Sequence, residues 1–306
     1  MLIAIEVTFS FDNAIINAKT LGRLSPFWQR LFLTVGIVIA IFGMRIVFPV
    51  VLVMITAHLP WHEVLNLALH HPHDYARHLE DAHTSIAAFG GAFLLTLALY
   101  FFLDDVRDVL WLKKIERPLR RLANWWAPLM IAVVVVGVAA TIPLNDEPVK
   151  ALYAGYLGIA TYAALKLAID GMNRLVGAGQ PQTHITGVAA FVSFLYLEVL
   201  DASFSFDGVI GAFAITSSVL LIAAGLGAGA VWVRSLTVYM VRKGTLDSYK
   251  YLEHGAHYTV ALLSLLLLAS LWFTIPDAVS GGAGLLIIGL ALRASIIEKK
   301  RGEAGR

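Results

Sequence analysis

Two distant stretches of the chain carry acids, hydroxyls and aromatics in the same order. Glu6-Val7-Thr8-Phe9-Ser10-Phe11-Asp12-Asn13-Ala14-Ile15 aligns without gaps on Asp201-Ala202-Ser203-Phe204-Ser205-Phe206-Asp207-Gly208-Val209-Ile210. With Glu198 just ahead of the second copy, these stretches offer only oxygen donors: the carboxylates of Glu6, Asp12, Glu198, Asp201 and Asp207, the hydroxyls of Ser10 and Ser205, and the amide of Asn13. Hard oxygen donors suit Mg²⁺, Ca²⁺ and Mn²⁺ and discriminate against copper and zinc. The chain has no cysteine, which excludes thiolate metal sites, disulfides and a cysteine nucleophile. Hydrolytic chemistry finds no support either. His62-Glu63 lacks the second histidine of a metalloprotease pair, and no serine, histidine and acid come together within an apolar run. Met44 and Met54 read as packing residues rather than soft ligands.

The acids lie in apolar surroundings, where a charged side chain costs roughly 2.5 to 3.5 kcal/mol on insertion scales. Each copy is followed by an apolar run with an arginine inside it, Arg45 in the first and Arg234 in the second. Both arginines are expected to pair with motif carboxylates. Two guanidinium groups cannot neutralise five carboxylates, so the surplus calls for a divalent cation with a proton or a shifted carboxylate pKa. Helical spacing places Glu6, Ser10, Asn13 and Asn17 on one stripe, and Glu198, Asp201, Ser205 and Gly208 on its counterpart. Asp12 and Asp207 fall about 120° off those stripes on a regular 3.6-residue turn. Either each reaches a neighbouring span or the helix unwinds after Phe-Ser-Phe, which Gly208 would ease in the second copy.

The elements that must position these residues follow from composition. Of 306 residues, 58% are hydrophobic and only 14% charged, more apolar surface than a soluble chain can cover. A nucleic-acid binder and a soluble enzyme are thereby disfavoured. Apolar runs at about 1–18, 31–57, 84–103, 127–143, 149–169, 185–216, 217–241, 257–275 and 279–297 predict an all-α, polytopic transmembrane helical bundle of about nine spans. Glu6 and Asp12 interrupt the apolar stretch that a cleavable signal peptide would need. Five crossings separate the starts of the two motifs, so they run in opposite directions. That is the trace of an inverted-topology repeat, with a site expected near the midplane where the halves meet. The chain reads as one membrane domain: repeat one over 1–103, linking spans four and five over 104–184, repeat two over 185–297, and a tail over 298–306.

Alternate loops are rich in basic residues. Lys19, Arg23 and Arg30, then Arg107 through Arg121, then Lys166 and Arg174, then Arg242, Lys243 and Lys250 fall on one side with the tail, and only Arg77 and Lys150 fall on the other. This asymmetry predicts an N-terminus outside and a cytoplasmic C-terminus in a plasma (inner) membrane. The outside loop from His58 to His83 holds seven of the ten histidines. It reads as a solvated amphipathic loop, with a metal-attracting antechamber as the functional alternative.

Glu6 to Asn17 and Glu198 to Thr216 resemble the paired acidic motifs of TerC-type integral membrane proteins, a family named for tellurite resistance and placed in the LysE transporter superfamily. The Gly90-Gly91-Ala92-Phe93-Leu94-Leu95 run and the arginine spans are similar as well. The resemblance covers most of the chain and is weakest over about 104 to 184. It implies divalent metal transport, manganese efflux above all, with metal-binding acids at Glu6, Asp12, Asp201 and Asp207 and secondary ligands at Asn13, Ser10 and Ser205. The reading that joins residues and resemblance is a non-enzymatic exporter of divalent cations, Mn²⁺ favoured. Alternating access would expose its acidic site, with Glu198 a ligand or proton acceptor. A calcium or proton-coupled exchanger on the same scaffold is one alternative. A non-transporting membrane factor for protein insertion or metal delivery is another.

Overall fold

The computed structural model describes residues 1–105, 107, 109–175, 184–213, 215–216 and 218–304; for Ile5, Phe9, 173–175, Phe206, Asp207, Ile210, Asp247, 277–278, Ser280 and 302–304 the description is of backbone alone. Among these residues the fold is all-α, without a strand. Seven helical segments are long and apolar enough to cross a bilayer: 26–57, 83–102, 148–172, 187–205, 219–243, 252–269 and 281–301. The architecture is that of an all-α, polytopic membrane bundle.

The motif of repeat one occupies α1 (Leu2–Phe9) and α2 (Phe11–Arg23). The next apolar segment comprises α3 (Pro26–Val38), a π-helical stretch over Ile39–Val47, and α4 (Phe48–Ala57). Pro26 opens α3 at a position whose N–H has no intrahelical partner in any case. This segment is peripheral. Only 22% of its most apolar window is buried, and Val35, Val38, Phe42, Val51 and Ile55 present an apolar outer face, as lipid contact requires.

The expected histidine loop is instead two short amphipathic helices, α5 (Trp61–His70) and α6 (Pro72–Asp81). Val64, Ala68, Tyr75 and Leu79 bury a helical face against Val53 of α4, while His58, His62, His70, His71 and His73 stay exposed. The apolar residues recur at helical spacing, which a loop reading overlooks.

The bundle is organised on α7 (His83–Phe102), whose apolar window is 67% buried. Small residues let its neighbours close in, the usual means of helix association where lipid is as apolar as the side chains. At Gly158 of α10 (Pro148–Leu175) an added methyl would strike the Phe89 backbone of α7. Between them, α8 (Lys113–Arg121) lies in the basic linker, and α9 (Ala127–Thr141) is a short apolar helix. Fifteen residues of α9 span about 22 Å, less than the roughly 30 Å of a bilayer core.

The second motif copy and the helices after it make up α11 (Gly187–Phe213), α12 (Val219–Lys243), the single turn α13 (Thr245–Ser248), α14 (Leu252–Ala269) and α15 (Asp277–Ala304). Ser218 caps α12 by accepting from the Leu221 N–H, and Gly244 ends it in the left-handed conformation, φ 58°, as glycine most readily does. Several boundaries differ from the sequence expectation: the span expected from 31 begins at Pro26, the one expected to end at 169 runs to Leu175, and the one expected to end at 275 stops at Ala269. The span expected from 257 begins at Leu252 and takes in Glu253 and His254, and the expected tail continues α15 as far as Ala304. An isolated parallel bridge joins Leu24 to Ile185 and ties the end of α2 to the approach to α11.

Candidate functional site

In the first motif copy the helix is interrupted inside the Phe-Ser-Phe sequence. Ser10 has φ −103° and ψ 11°, separating α1 from α2. The Ser10 N–H still donates to the Glu6 carbonyl (2.9 Å) and the Ala14 N–H to the Ser10 carbonyl (3.1 Å), so the chain bends without losing its path. Glu6 Oε1 accepts from Arg45 Nη2 (2.5 Å) and from the Ser10 hydroxyl (3.0 Å). The other end of the guanidinium donates from Nη1 to the Ala40 carbonyl (2.5 Å). Both Arg45 and Ala40 lie in the π-helical stretch, where wider turns release carbonyls from the regular ladder. Asp12 sits in the first turn of α2, where a helix N-terminus favours negative charge, and accepts from the Asn13 N–H (2.9 Å). Among the described residues it has no cationic partner.

The second copy is built on an unbroken helix. Glu198 and Asp201, one turn apart on α11, share Arg234 of α12. Nη1 and Nη2 each donate to a Glu198 oxygen at 2.9 Å, and Nη2 also donates to Asp201 Oδ2 at 2.8 Å. The guanidinium lies 4.3 Å from the centre of the Phe32 ring and donates to the Phe32 carbonyl (3.3 Å). The planar fork of arginine matches a carboxylate in a way that lysine cannot.

The copies touch each other at Asn13, whose Nδ2 donates to Asp201 Oδ1 (2.8 Å). Two glycines allow the approach reciprocally. A methyl at Gly36, in repeat one, would overlap the Arg234 guanidinium; a methyl at Gly229, in repeat two, would overlap the Glu6 side chain. Glu6, Ser10, Asp12, Asn13, Glu198, Asp201, Ser205, Arg45 and Arg234 are all at least nine-tenths buried. Among the described residues, three oxygens in this region have no hydrogen-bond partner: Asn13 Oδ1, Asn17 Oδ1 and Ser205 Oγ. Fully ionised, the four described acids and two arginines leave two negative charges. Uncompensated buried charge and orphaned acceptors are both costly, and a divalent cation satisfies both.

The structure thus brings Glu6 to Arg45, and Glu198 and Asp201 to Arg234 and Asn13. It does not gather three acids or histidines into a metal-holding group among the described residues, because the arginines occupy the carboxylates. The Asp207 side chain lies outside the described residues. The α11 backbone passes through Gly208 as helix, so the unwinding that this glycine would ease is absent from the second copy. A break occurs in the first, at Ser10, inside the Phe-Ser-Phe run rather than after it.

Sequence reasoning put Asn17 on the polar stripe but not in the ligand set, although its buried Oδ1 is free. It also passed over Glu116, buried in the basic linker, which accepts from the Leu112 N–H (2.9 Å) and the Tyr258 hydroxyl (3.0 Å). A lone acid among the five basic residues from Lys113 to Arg121 is the available signal for Glu116.

Residues 11–302 match a family model described as protein of unknown function (DUF475), and the chain belongs to that family. No curated protein and no solved structure is significantly similar to it.

Proposed function

We propose that this member of the family is a divalent cation transporter, exporting Mn²⁺ by alternating access through the contact between its two motif copies. One observation carries the reading: four buried acids face only two arginines, with unpartnered neutral oxygens on the same buried helices. Asp12 supplies a carboxylate with no competing cation. Asn13 Oδ1, Asn17 Oδ1 and Ser205 Oγ supply neutral oxygens, and Asp201, already joined to Asn13, supplies a second charge on release from Arg234. Asp207, placed like Asp12 in the sequence repeat, joins this set. Arg45 and Arg234 compete with the cation for Glu6, Glu198 and Asp201, and that competition couples binding to a shift of α12 and the π-helical stretch. Carbonyls at the end of α1, freed by the break at Ser10, add partial negative charge of the kind broken helices present to cations in transporters.

The same reading gives nine crossings, α1 and α2 forming one and α9 another beside the seven long segments. It sets the repeats in opposite orientation, with the basic loops and C-terminus cytoplasmic. The paired motifs resembling those of TerC-type proteins support the choice of Mn²⁺, and the oxygen-only donors support Mn²⁺, Mg²⁺ or Ca²⁺ over zinc and copper.

The test is flux into liposomes holding the purified protein, with Mn²⁺, Mg²⁺, Ca²⁺ and Zn²⁺ compared, each with and without a pH gradient. Saturable Mn²⁺ flux that exceeds Zn²⁺ flux is expected. Absence of flux for every divalent ion would overturn the reading in favour of a non-transporting membrane factor. Topology is checked separately with single cysteines at positions 73 and 114 in this cysteine-free chain. An impermeant reagent applied to intact cells should label the first and spare the second.

A further inference from the structure

The polar stripe of the first copy does not end at Asn17. Glu6, Ser10, Asn13, Asn17 and Thr20 follow one another at helical spacing, and Thr20 lines a cavity of about 190 Å³ on the side of the basic loops. Seven residues of helix, about 10 Å, separate Asn13 from Thr20. Asn17 is buried and Thr20 is partly exposed, so the boundary between the sealed stripe and the cavity falls within a single turn of α2.

That boundary is held by charge. Lys19 of α2 forms an ion pair with Glu253 of α14, and Arg107, from the linker after α7, reaches the same Glu253 oxygen at 3.4 Å. Arg107 also pairs with Asp104 (3.7 Å) and lies with its guanidinium 3.3 Å from the centre of the Phe101 ring. Phe101 stacks on His257, at 3.5 Å between ring centres, and His257 Nδ1–H donates to the Glu253 carbonyl (2.8 Å). Glu253 therefore joins three elements, α2, α14 and the linker.

Building on the transport reading, we propose that Lys19, Glu253 and Arg107 form the gate between the buried oxygens and the cavity. Their ion pairs hold α2 against α14 and seal Asn17. Release of Glu253 lets the first turn below Asn17 part from α14 and opens the stripe to the cavity, which is the vestibule on the basic-loop side.

The experiment measures accessibility rather than flux. Asn17→Cys and Thr20→Cys are made separately in the full-length, cysteine-free chain, and an impermeant maleimide is applied to purified protein in liposomes. Thr20→Cys should label readily in every background. Asn17→Cys should label slowly, and Glu253→Gln or Lys19→Met should each accelerate it tenfold or more. Ala132→Cys, buried elsewhere in the core, should stay unlabelled throughout. An unchanged Asn17→Cys rate in both variants overturns the gate. Equal acceleration at Ala132→Cys also overturns it, by showing general loosening. Selective acceleration in a protein that carries no divalent ion would keep the gate and overturn the transport reading, so the two failures are distinguishable.

Discussion

The two motif copies share Phe-Ser-Phe-Asp, yet one is a broken helix and the other a continuous one. In the first, Ser10 interrupts the helix and Glu6 has an arginine to itself. In the second, α11 runs through the motif and Glu198 shares Arg234 with Asp201. The break is therefore not a property of Phe-Ser-Phe-Asp. α11 holds the second copy within a long helix, where propagation is cooperative; in the first copy the Asp12 carboxylate takes the Asn13 N–H, a local side-chain partner of the kind that competes with regular backbone pairing. Near-identical residues thus give one copy in which Asp12 has no cationic partner among the described residues, and another in which two acids are held by one guanidinium fork.

Replacing the free carboxylate should have the largest effect. Asp12→Asn removes one charge from a buried site, so apparent Mn²⁺ affinity should fall on the order of a hundredfold, with the protein still inserted and monodisperse. Asp207→Asn should match it if the copies contribute equally. A double variant that transports normally would return both acids to a structural role.

The clamp comes next. Arg234→Gln strands two buried carboxylates and should cost about 3–5 kcal/mol of stability, whereas Arg45→Gln strands only Glu6 and should cost less. Thermal unfolding in lipid nanodiscs measures both, and adding Glu198→Gln with Asp201→Asn to Arg234→Gln should recover much of the loss. Equal losses at the two arginines would erase the contrast between the halves.

The paired serines give a smaller and sharper contrast. The Ser10 hydroxyl bonds to a carboxylate, so Ser10→Ala should destabilise by about 1.5 kcal/mol. Ser205 Oγ has no partner, so Ser205→Ala should change stability by less than about 0.5 kcal/mol while lowering Mn²⁺ flux. The smallest effect is expected outside the comparison: His78→Ala on α6 should leave flux nearly intact, and a large loss would give the histidine helices a part in transport.

Much of this arrangement is legible in the residues. Hydropathy locates each long helix, with ends that shift by up to about seven residues, because apolar length is a direct physical requirement of spanning, and the Phe-Ser-Phe-Asp recurrence picks out the acids. The break at Ser10 was not legible, since the same core sequence stays helical in α11. Nor was the role of Glu253. Acids at the start of an apolar run read as loop residues, and its partners Lys19 and Arg107 are far away in sequence. The helices α5 and α6 were hidden by their histidines, which drew attention from Val64, Ala68, Tyr75 and Leu79.

The sequence separations of the ion pairs bear on how the protein is made. Arg45 follows Glu6 by 39 residues, and Arg234 follows Asp201 by 33. At about 5–20 residues per second, Glu6, Glu198 and Asp201 each meet an arginine within seconds of emerging from the ribosome. The Asn13–Asp201 bond, across 188 residues, must wait several times longer. Each arginine can therefore engage its acids as its own stretch of chain is made, leaving the Asn13–Asp201 contact as a late step of assembly.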